Sequence, residues 1–296
     1  MAGITEKESL VKKASYLRIV AYDLAEGMKS GNFRSLYRGQ GIEFSGVRDY
    51  IRGDDIRSID WNVTARMGRP YVKVFEEERE LQIFIVVDSS LSMQLKTERR
   101  TKYETASEAA ALVTIASEMN GCPVGAVFFD GAIHFSCAPR LGREQTMLIL
   151  TRLDKLPPKG VTGSVLGNAL TGAGKLLKKR SLVFIFSDFR SGEWEKPLIS
   201  LAQKNEDVAM RLMDKFDESL PSIGSVPFED CESDLTMVLP TSSEKFKKEW
   251  RLQNESRVRN WQELCAKHGI MPVLLNTTDE PLQVLSSVFN QKNTNK

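Results

Sequence analysis

Apolar positions along the chain follow two patterns. Ile83–Val87 and Leu182–Phe186 are short, wholly apolar runs bounded by polar residues, as expected of strands buried on both faces. Val208–Met213 and Ile270–Leu275 offer two more strands. Elsewhere the spacing is helical. Ala109, Leu112, Val113 and Ala116 mark a helix over Thr101–Asn120. Leu166, Leu170, Ala173 and Leu177 mark another. Phe246, Trp250, Trp261 and Leu264 mark a long one over Thr241–Lys267. Thr101 with Glu104, and Thr241 with Glu244, have the spacing of capping boxes, and Asn120-Gly121 supplies a stop. Further helices are expected over Leu141–Leu153 and Pro281–Phe289. Val124–Phe129, the turn Asp130-Gly131 and Ala132–Phe135 read as a hairpin, and Val226–Leu239 as an irregular hairpin insertion. Strands alternating with helices predict an α/β fold with a mostly parallel, doubly wound sheet.

The N-terminal part differs. Thr5–Lys29 reads as a helix with a seam of Leu10, Ala14, Leu17, Ala21, Leu24 and Met28, too short for a coiled coil and expected to pack on its own domain. From Asn32 to Glu80 the chain is dense in Arg, Gly, Asp and aromatics, with short strands such as Tyr71–Phe75 and no long helix. The expected organisation is a leading helix with a small, Arg-rich, β-containing attachment over residues 1–79, then the sheet domain over 80–292. The terminal QKNTNK is expected to fray.

Charge narrows the partners. The 296 residues carry 41 Lys+Arg against 39 Asp+Glu, a formal charge of +2, so no global field favours nucleic acid. No apolar run approaches the ~20 residues of a membrane helix, and MAGITEKESL lacks the layout of a signal peptide, so a cytoplasmic protein without membrane insertion is expected. Cys122, Cys137, Cys231 and Cys265 lack the close spacing of a zinc site and read as reduced core thiols. Arg34, Arg38, Arg48, Arg52, Arg57, Arg66 and Arg69 interleave with Glu43, Asp49, Asp54, Asp55 and Asp60. That pattern predicts an internal ion-pair lattice ahead of a docking surface, with Trp61 as a core anchor.

In doubly wound sheets, ligands sit beyond the carboxyl ends of the strands. The first apolar strand ends in Asp88-Ser89-Ser90-Leu91-Ser92, and the second in Ser187-Asp188. Asp88, Ser90 and Ser92 recur at every second position, a spacing that can aim one carboxylate and two hydroxyls at one point. Such hard oxygens suit Mg²⁺, or Mn²⁺ as the alternative, better than Zn²⁺. Thr162 sits in a loop between the two strands. Taken singly, each residue has a plain structural use as a cap, a turn or a helix entry; together they converge. Enzyme signals are weak. Thr171-Gly172-Ala173-Gly174-Lys175 lacks the first Gly and the final Ser/Thr of a phosphate loop, and no G-x-S-x-G string exists. His134 falls in a hairpin and His268 at a helix end.

The D-x-S-x-S string after the first strand resembles a von Willebrand factor A-type domain with a metal-ion-dependent adhesion site. That resemblance implies that Asp88, Ser90 and Ser92 form the first metal motif, Thr162 the second and Asp188 the third. It also implies Mg²⁺, with a partner's acidic side chain completing the shell. Where relatives often carry an acidic residue after the second motif, this chain has Gly163-Ser164. The preceding string, GIEFSGVRDYIRGDDIRSIDWNVTARMGRPYVKVFEEERE, is more specific and resembles the bacterial family catalogued as domain of unknown function fifty-eight. Membership implies a cytoplasmic bacterial protein acting as an adaptor with a MoxR-type AAA+ ATPase. The leading expectation is therefore a non-enzymatic, metal-dependent interaction module. Its rivals are a Mg²⁺-dependent hydrolase, with Glu98, Glu104 or His134 as base, and a scaffold whose site is vestigial.

Overall fold

The computed structural model describes residues 17–18, 20–22, 24–28, 38–78, 81–95, 100–155, 163–220, 222, 224–229 and 236–290. The small N-terminal unit pairs β1 (Arg38–Asp49) with β2 (Tyr71–Glu78), antiparallel, around a short 3₁₀ turn at Ile56–Ser58 and α1 (Trp61–Met67). The sheet domain follows with β3 (Gln82–Asp88), α2 (Leu91–Gln94), α3 (Lys102–Met119), β4 (Val124–Phe129), β5 (Ile133–Arg140), α4 (Arg143–Leu153), α5 (Leu166–Leu176), β6 (Ser181–Ser187), α6 (Glu195–Ala202), β7 (Glu206–Met213) and α7 (Lys215–Glu218). A β8 (Ser225–Glu229) and β9 (Thr236–Pro240) hairpin then precedes α8 (Glu244–Lys267), β10 (Met271–Asn276) and α9 (Pro281–Asn290).

Six strands form one sheet in the order β10-β7-β6-β3-β4-β5, all parallel except β5, which runs back along β4. Numbered along the chain, the order is 3-2-1-4-5-6, the doubly wound arrangement whose switch point lies between strands one and four, here β3 and β6. The expected α/β architecture, a mostly parallel sheet with a β-containing N-terminal attachment, is present.

Alternation on β3 divides the core. Ile83, Ile85 and Val87 face α3, α4 and α9, whereas Phe84 and Val86 face α5, α6 and α8. Both faces are apolar because both are covered. Close packing also sets Gly125 on β4: a Cβ there would lie 2.7 Å from Pro139 N and 2.9 Å from a Phe84 ring carbon. α3 starts as expected, with Thr101 and Glu104 capping each other reciprocally. Leu17, Ala21, Leu24, Ala25 and Met28 of the leading helix are buried in the α3-side core, with Arg18 on Glu118 at 2.9 Å and Asn120 Nδ2 donating to Ala25 O. Leu10 and Ala14 of its expected seam lie outside the described residues. No helix among the described residues is long and apolar enough to cross a membrane.

Three local expectations change. The α8 cap is Ser243, whose Oγ accepts from Phe246 N, while buried Thr241 donates to Gly224 O at 2.6 Å to close the β8–β9 insertion. Trp61 is 66% exposed rather than a core anchor. The two-turn α1 has no buried residue, and Val63 and Thr64 take its inner side, where Thr64 Oγ1 accepts from Tyr71 N. The ion-pair lattice is local. Arg48 forks onto Asp54 with two 2.7 Å bonds and Arg69 pairs with Asp49, but Asp55 and Asp60 cap helices, and Arg52, Arg57 and Arg66 have no acidic partner among the described residues. Cys122 and Cys265 are buried and Cys137 is half-buried, while Cys231 lies outside the described residues.

Candidate functional site

Asp88 is the last residue of β3 and is fully enclosed, at 1% exposure. Its Oδ1 accepts from Ser90 N at 2.9 Å, which turns the chain sharply at the strand end. Its Oδ2 accepts from Ser187 Oγ at 2.7 Å and from Ser164 Oγ at 3.3 Å. Ser90 and Ser92 bring their hydroxyls within 3.2 Å of each other at the start of α2. Asp188 follows β6 and is also buried. Its Oδ1 accepts from Arg190 N, and its Oδ2 finds no hydrogen-bond donor among the described residues.

These two acids act on each other. Burial, and then the negative charge of Asp188, push the Asp88 carboxyl up to about 7, against the pull of Ser90 and Ser187. Two buried carboxyl groups thus stand at adjacent strand tips, and among the described residues neither has a charged hydrogen-bond partner. The structure brings Asp88, Ser90, Ser92 and Asp188 to the switch point, and Thr162 lies outside the described residues. Among the described residues no three or more His, Cys, Asp or Glu side chains cluster to hold a metal, so a cation here would depend on hydroxyls.

The backbone after β6 is unusual. Phe189 has φ of 53° and Glu193 of 56°, left-handed conformations uncommon for such residues. Phe189 N donates to Ser187 Oγ, and the Phe189 ring packs edge-on against Trp194 and tilted against Trp261. Those ring contacts pack the left-handed turn that follows Asp188. Gly167 sits where a Cβ would meet Glu193 O at 2.7 Å, so α5 is pressed against the same loop.

Several residues here carried no sequence signal. Lys102, in the first turn of α3, is buried, with Nζ 3.9 Å from Asp188 Oδ2, 3.9 Å from Asp214 Oδ2 and 2.8 Å from Asp217 Oδ2. Arg190 also pairs with Asp217. Burial works against the Asp217 charge, but Lys102 and Arg190 together hold its carboxyl below the usual range. Ser187 and Ser164, which bind Asp88, read from sequence as a strand end and a loop. Ser89 Oγ donates to Phe129 O and lies 2.8 Å from His134 Nε2. With the hydroxyl proton on Phe129, the ring nitrogen is the donor, and the pair lacks the base-to-nucleophile polarity of a Ser–His couple.

Comparison with known proteins gives three results. The family model described as "Protein of unknown function DUF58" matches residues 46–259. Uncharacterised proteins of Mycobacterium bovis and Mycobacterium tuberculosis are 31% identical over 236 residues, covering 79% of this chain and 74% of theirs. Among solved structures, BatB from Bacteroides thetaiotaomicron is 14% identical with a TM-score of 0.45, covering 70% of this chain and 96% of that one. The von Willebrand factor A domain of SpRpn10 is 14% identical with a TM-score of 0.41, covering 72% and 97%.

Proposed function

The chain belongs to the DUF58 family, and from its switch-point geometry we propose that it is a non-enzymatic, divalent-cation-dependent protein-interaction module. The observation that carries this reading is the buried pair Asp88 and Asp188, two acids at adjacent strand tips, with Asp188 Oδ2 lacking a hydrogen-bond donor among the described residues. A carboxyl pushed up to about 7 by burial, and then by its neighbour's charge, is the electrostatic state a cation would relieve. The available donors are carboxylate and hydroxyl oxygens, which fit Mg²⁺ or Mn²⁺. Asp88, Ser90, Ser92 and Asp188 would hold it, together with Thr162.

A bound cation of this kind supplies a hard Lewis-acid position open to an incoming carboxylate. The chain's own residues do the rest. Ser187 and Ser164 orient Asp88, the left-handed Phe189 turn directly follows Asp188, and Lys102, 3.9 Å from Asp188 Oδ2, offsets part of that acid's charge without hydrogen-bonding it. Hydrolysis would require a base beside the cation, and His134 is instead engaged as a donor to Ser89. The resemblance noted in the sequence supplies the rest of the proposal: a cytoplasmic adaptor whose partner is a MoxR-type AAA+ ATPase presenting an acidic side chain.

Calorimetric titration with Mg²⁺ tests the site. Wild type is expected to bind, and Asp88→Ala and Asp188→Ala to lose binding. Surface plasmon resonance against the purified MoxR-type ATPase of the same genome is expected to show capture in Mg²⁺ and none in EDTA. Wild type that takes up no Mg²⁺ or Mn²⁺ would overturn the cation reading, and EDTA-insensitive capture would overturn its link to the partner.

A further inference from the structure

The central sheet ends on one side at β5, which pairs with β4 and has no further strand beside it among the described residues. Five of its eight residues, Ile133, His134, Ser136, Ala138 and Arg140, are exposed. The opposite edge is protected: β10 carries Pro272, and none of its residues is exposed. Open edges are usually blunted by Lys, Pro or bulges, because their free N–H and C=O groups pair with any strand that reaches them. Residues 133–138 hold no Lys, Arg, Asp, Glu or Pro. The two register shifts of the β4–β5 ladder fall at its ends, so residues 135–137 run regularly against residues 126–128. The middle of this edge therefore has none of the usual protection.

Its flanks are apolar and basic. Leu141 directly follows the strand and is 57% exposed, and Leu148 on α4 is 42% exposed. Leu148 lies one helical turn before Arg152 on the same face of α4, and the Arg152 guanidinium lies 5.6 Å from the centre of the Phe135 ring of β5. That face of α4 is thus turned towards the edge strand. Arg140 ends β5 and Arg143 begins α4. Arg140, Arg143 and Arg152 are exposed and have no acidic partner among the described residues. Of the acids nearby, Asp130 Oδ1 accepts from Ala132 N in the turn before β5. That leaves Glu144 and Asp154 against Arg140, Arg143, Arg152 and Lys155.

We propose that β5 receives an extended, acidic segment of a partner protein as a seventh strand of the sheet. Main-chain hydrogen bonds to the outward N–H and C=O groups of residues 133–138 supply the affinity, as in other strand additions. Carboxylates of the incoming segment pair with Arg140, Arg143 and Arg152, and its apolar side chains lie against Leu141 and Leu148. A second copy of this chain fits less well. Antiparallel self-pairing would set Arg140 of each copy against the other's residues 133–135, where Arg152 lies, and like charges brought together across strands are destabilising. The proposal goes beyond the cation reading, since none of the proposed cation ligands contributes.

The test uses the full chain in EDTA, so that failure here is distinct from failure of the cation site. The probe is the blocked peptide acetyl-Glu-Thr-Val-Thr-Glu-Val-Thr-Glu-amide, and the control is the same peptide with Lys for each Glu. Fluorescence anisotropy of the labelled peptides gives affinity, and amide hydrogen exchange followed by NMR locates the contact. The acidic peptide is expected to bind at least tenfold more tightly than the control. It should also slow exchange at least tenfold at alternate amides of residues 133–138, the pattern of one strand pairing along an edge. Arg140→Glu and Arg152→Glu, both at exposed positions, are expected to weaken binding at least tenfold while melting as wild type does. The assignment is overturned if the acidic peptide does not bind, if the Lys peptide binds as tightly, if β5 amides are unaffected, or if both Arg variants bind as wild type does. Sedimentation of the chain alone covers the other occupant: a dimer that Ser136→Arg dissociates would give this edge to a second copy and overturn the assignment too.

Discussion

Ser187 Oγ donates to Asp88 Oδ2 at 2.7 Å, tying the tips of β6 and β3 together at the point where the winding of the sheet reverses. This bond is buried at both ends. Replacing Ser187 by Ala removes the donor and leaves the acid enclosed. The expected cost is about 1–3 kcal/mol of stability, the range for a buried group losing its partner. Urea unfolding of Ser187→Ala at neutral pH measures it. A change below about 0.5 kcal/mol would mean that Asp88 is already neutral and indifferent to its neighbour.

Lys102 is the cation behind the site, and its removal has a signed pH signature. Lys102→Met leaves Asp188, Asp214 and Asp217 with less compensation, and breaking a buried ion pair from one side costs about 3–5 kcal/mol. The Asp217 carboxyl is held below its ordinary value in the folded chain. Its contribution is therefore present above the unfolded value near 4 and is lost as pH falls through the lower folded value. The gap between wild type and Lys102→Met should be widest at pH 7 and shrink below pH 4. A gap constant from pH 7 to pH 3 would contradict the pairing.

Asp207 behaves oppositely. Both of its carboxylate oxygens are buried without hydrogen-bond partners among the described residues, and burial, aided by Glu206, pushes it up to about 8. A raised carboxyl binds its proton more tightly in the folded state. Stability from this group is thus complete below about pH 4 and is lost as pH rises towards 8, at most about 1.4 kcal/mol per pH unit. Asp207→Asn has no proton to lose, so its stability should be flatter across that window and exceed wild type at pH 9. Thermal melts from pH 4 to 9 give the comparison.

The parts of the fold legible in the sequence were those where one local rule sufficed. Ile83–Val87 announced a strand covered on both faces because burial removes every polar position, and Thr101 with Glu104 announced a helix start because the cap is contained in four residues. Asp88 and Asp188 stood out because each ends such a strand. Lys102 was invisible: a lysine in a first helical turn normally points to water, and this one is buried only because Asp214 and Asp217 arrive from far along the chain. Ser187 and Ser164 were hidden for the same reason. Their roles are fixed by what the sheet places opposite them, and composition carries no trace of that.

Two tryptophans show how strongly placement overrides residue type. Trp61 sits on a two-turn helix with no buried residue and is 66% exposed, while Trp261 is 3% exposed on α8, between the Phe189 ring and the Arg211 guanidinium. Trp61→Ala should therefore change stability by no more than about 0.5 kcal/mol, the usual range for surface positions. Trp261→Ala opens a large cavity and should cost about 3–5 kcal/mol. It also withdraws support from the left-handed Phe189 turn, so Asp188 should lose its fixed orientation even where the chain stays folded. Urea midpoints compare the two stabilities. Mg²⁺ titration of the folded fraction then separates them further, with affinity unchanged in Trp61→Ala and reduced in Trp261→Ala. Equal losses of stability would mean that α1 packs against the sheet domain after all.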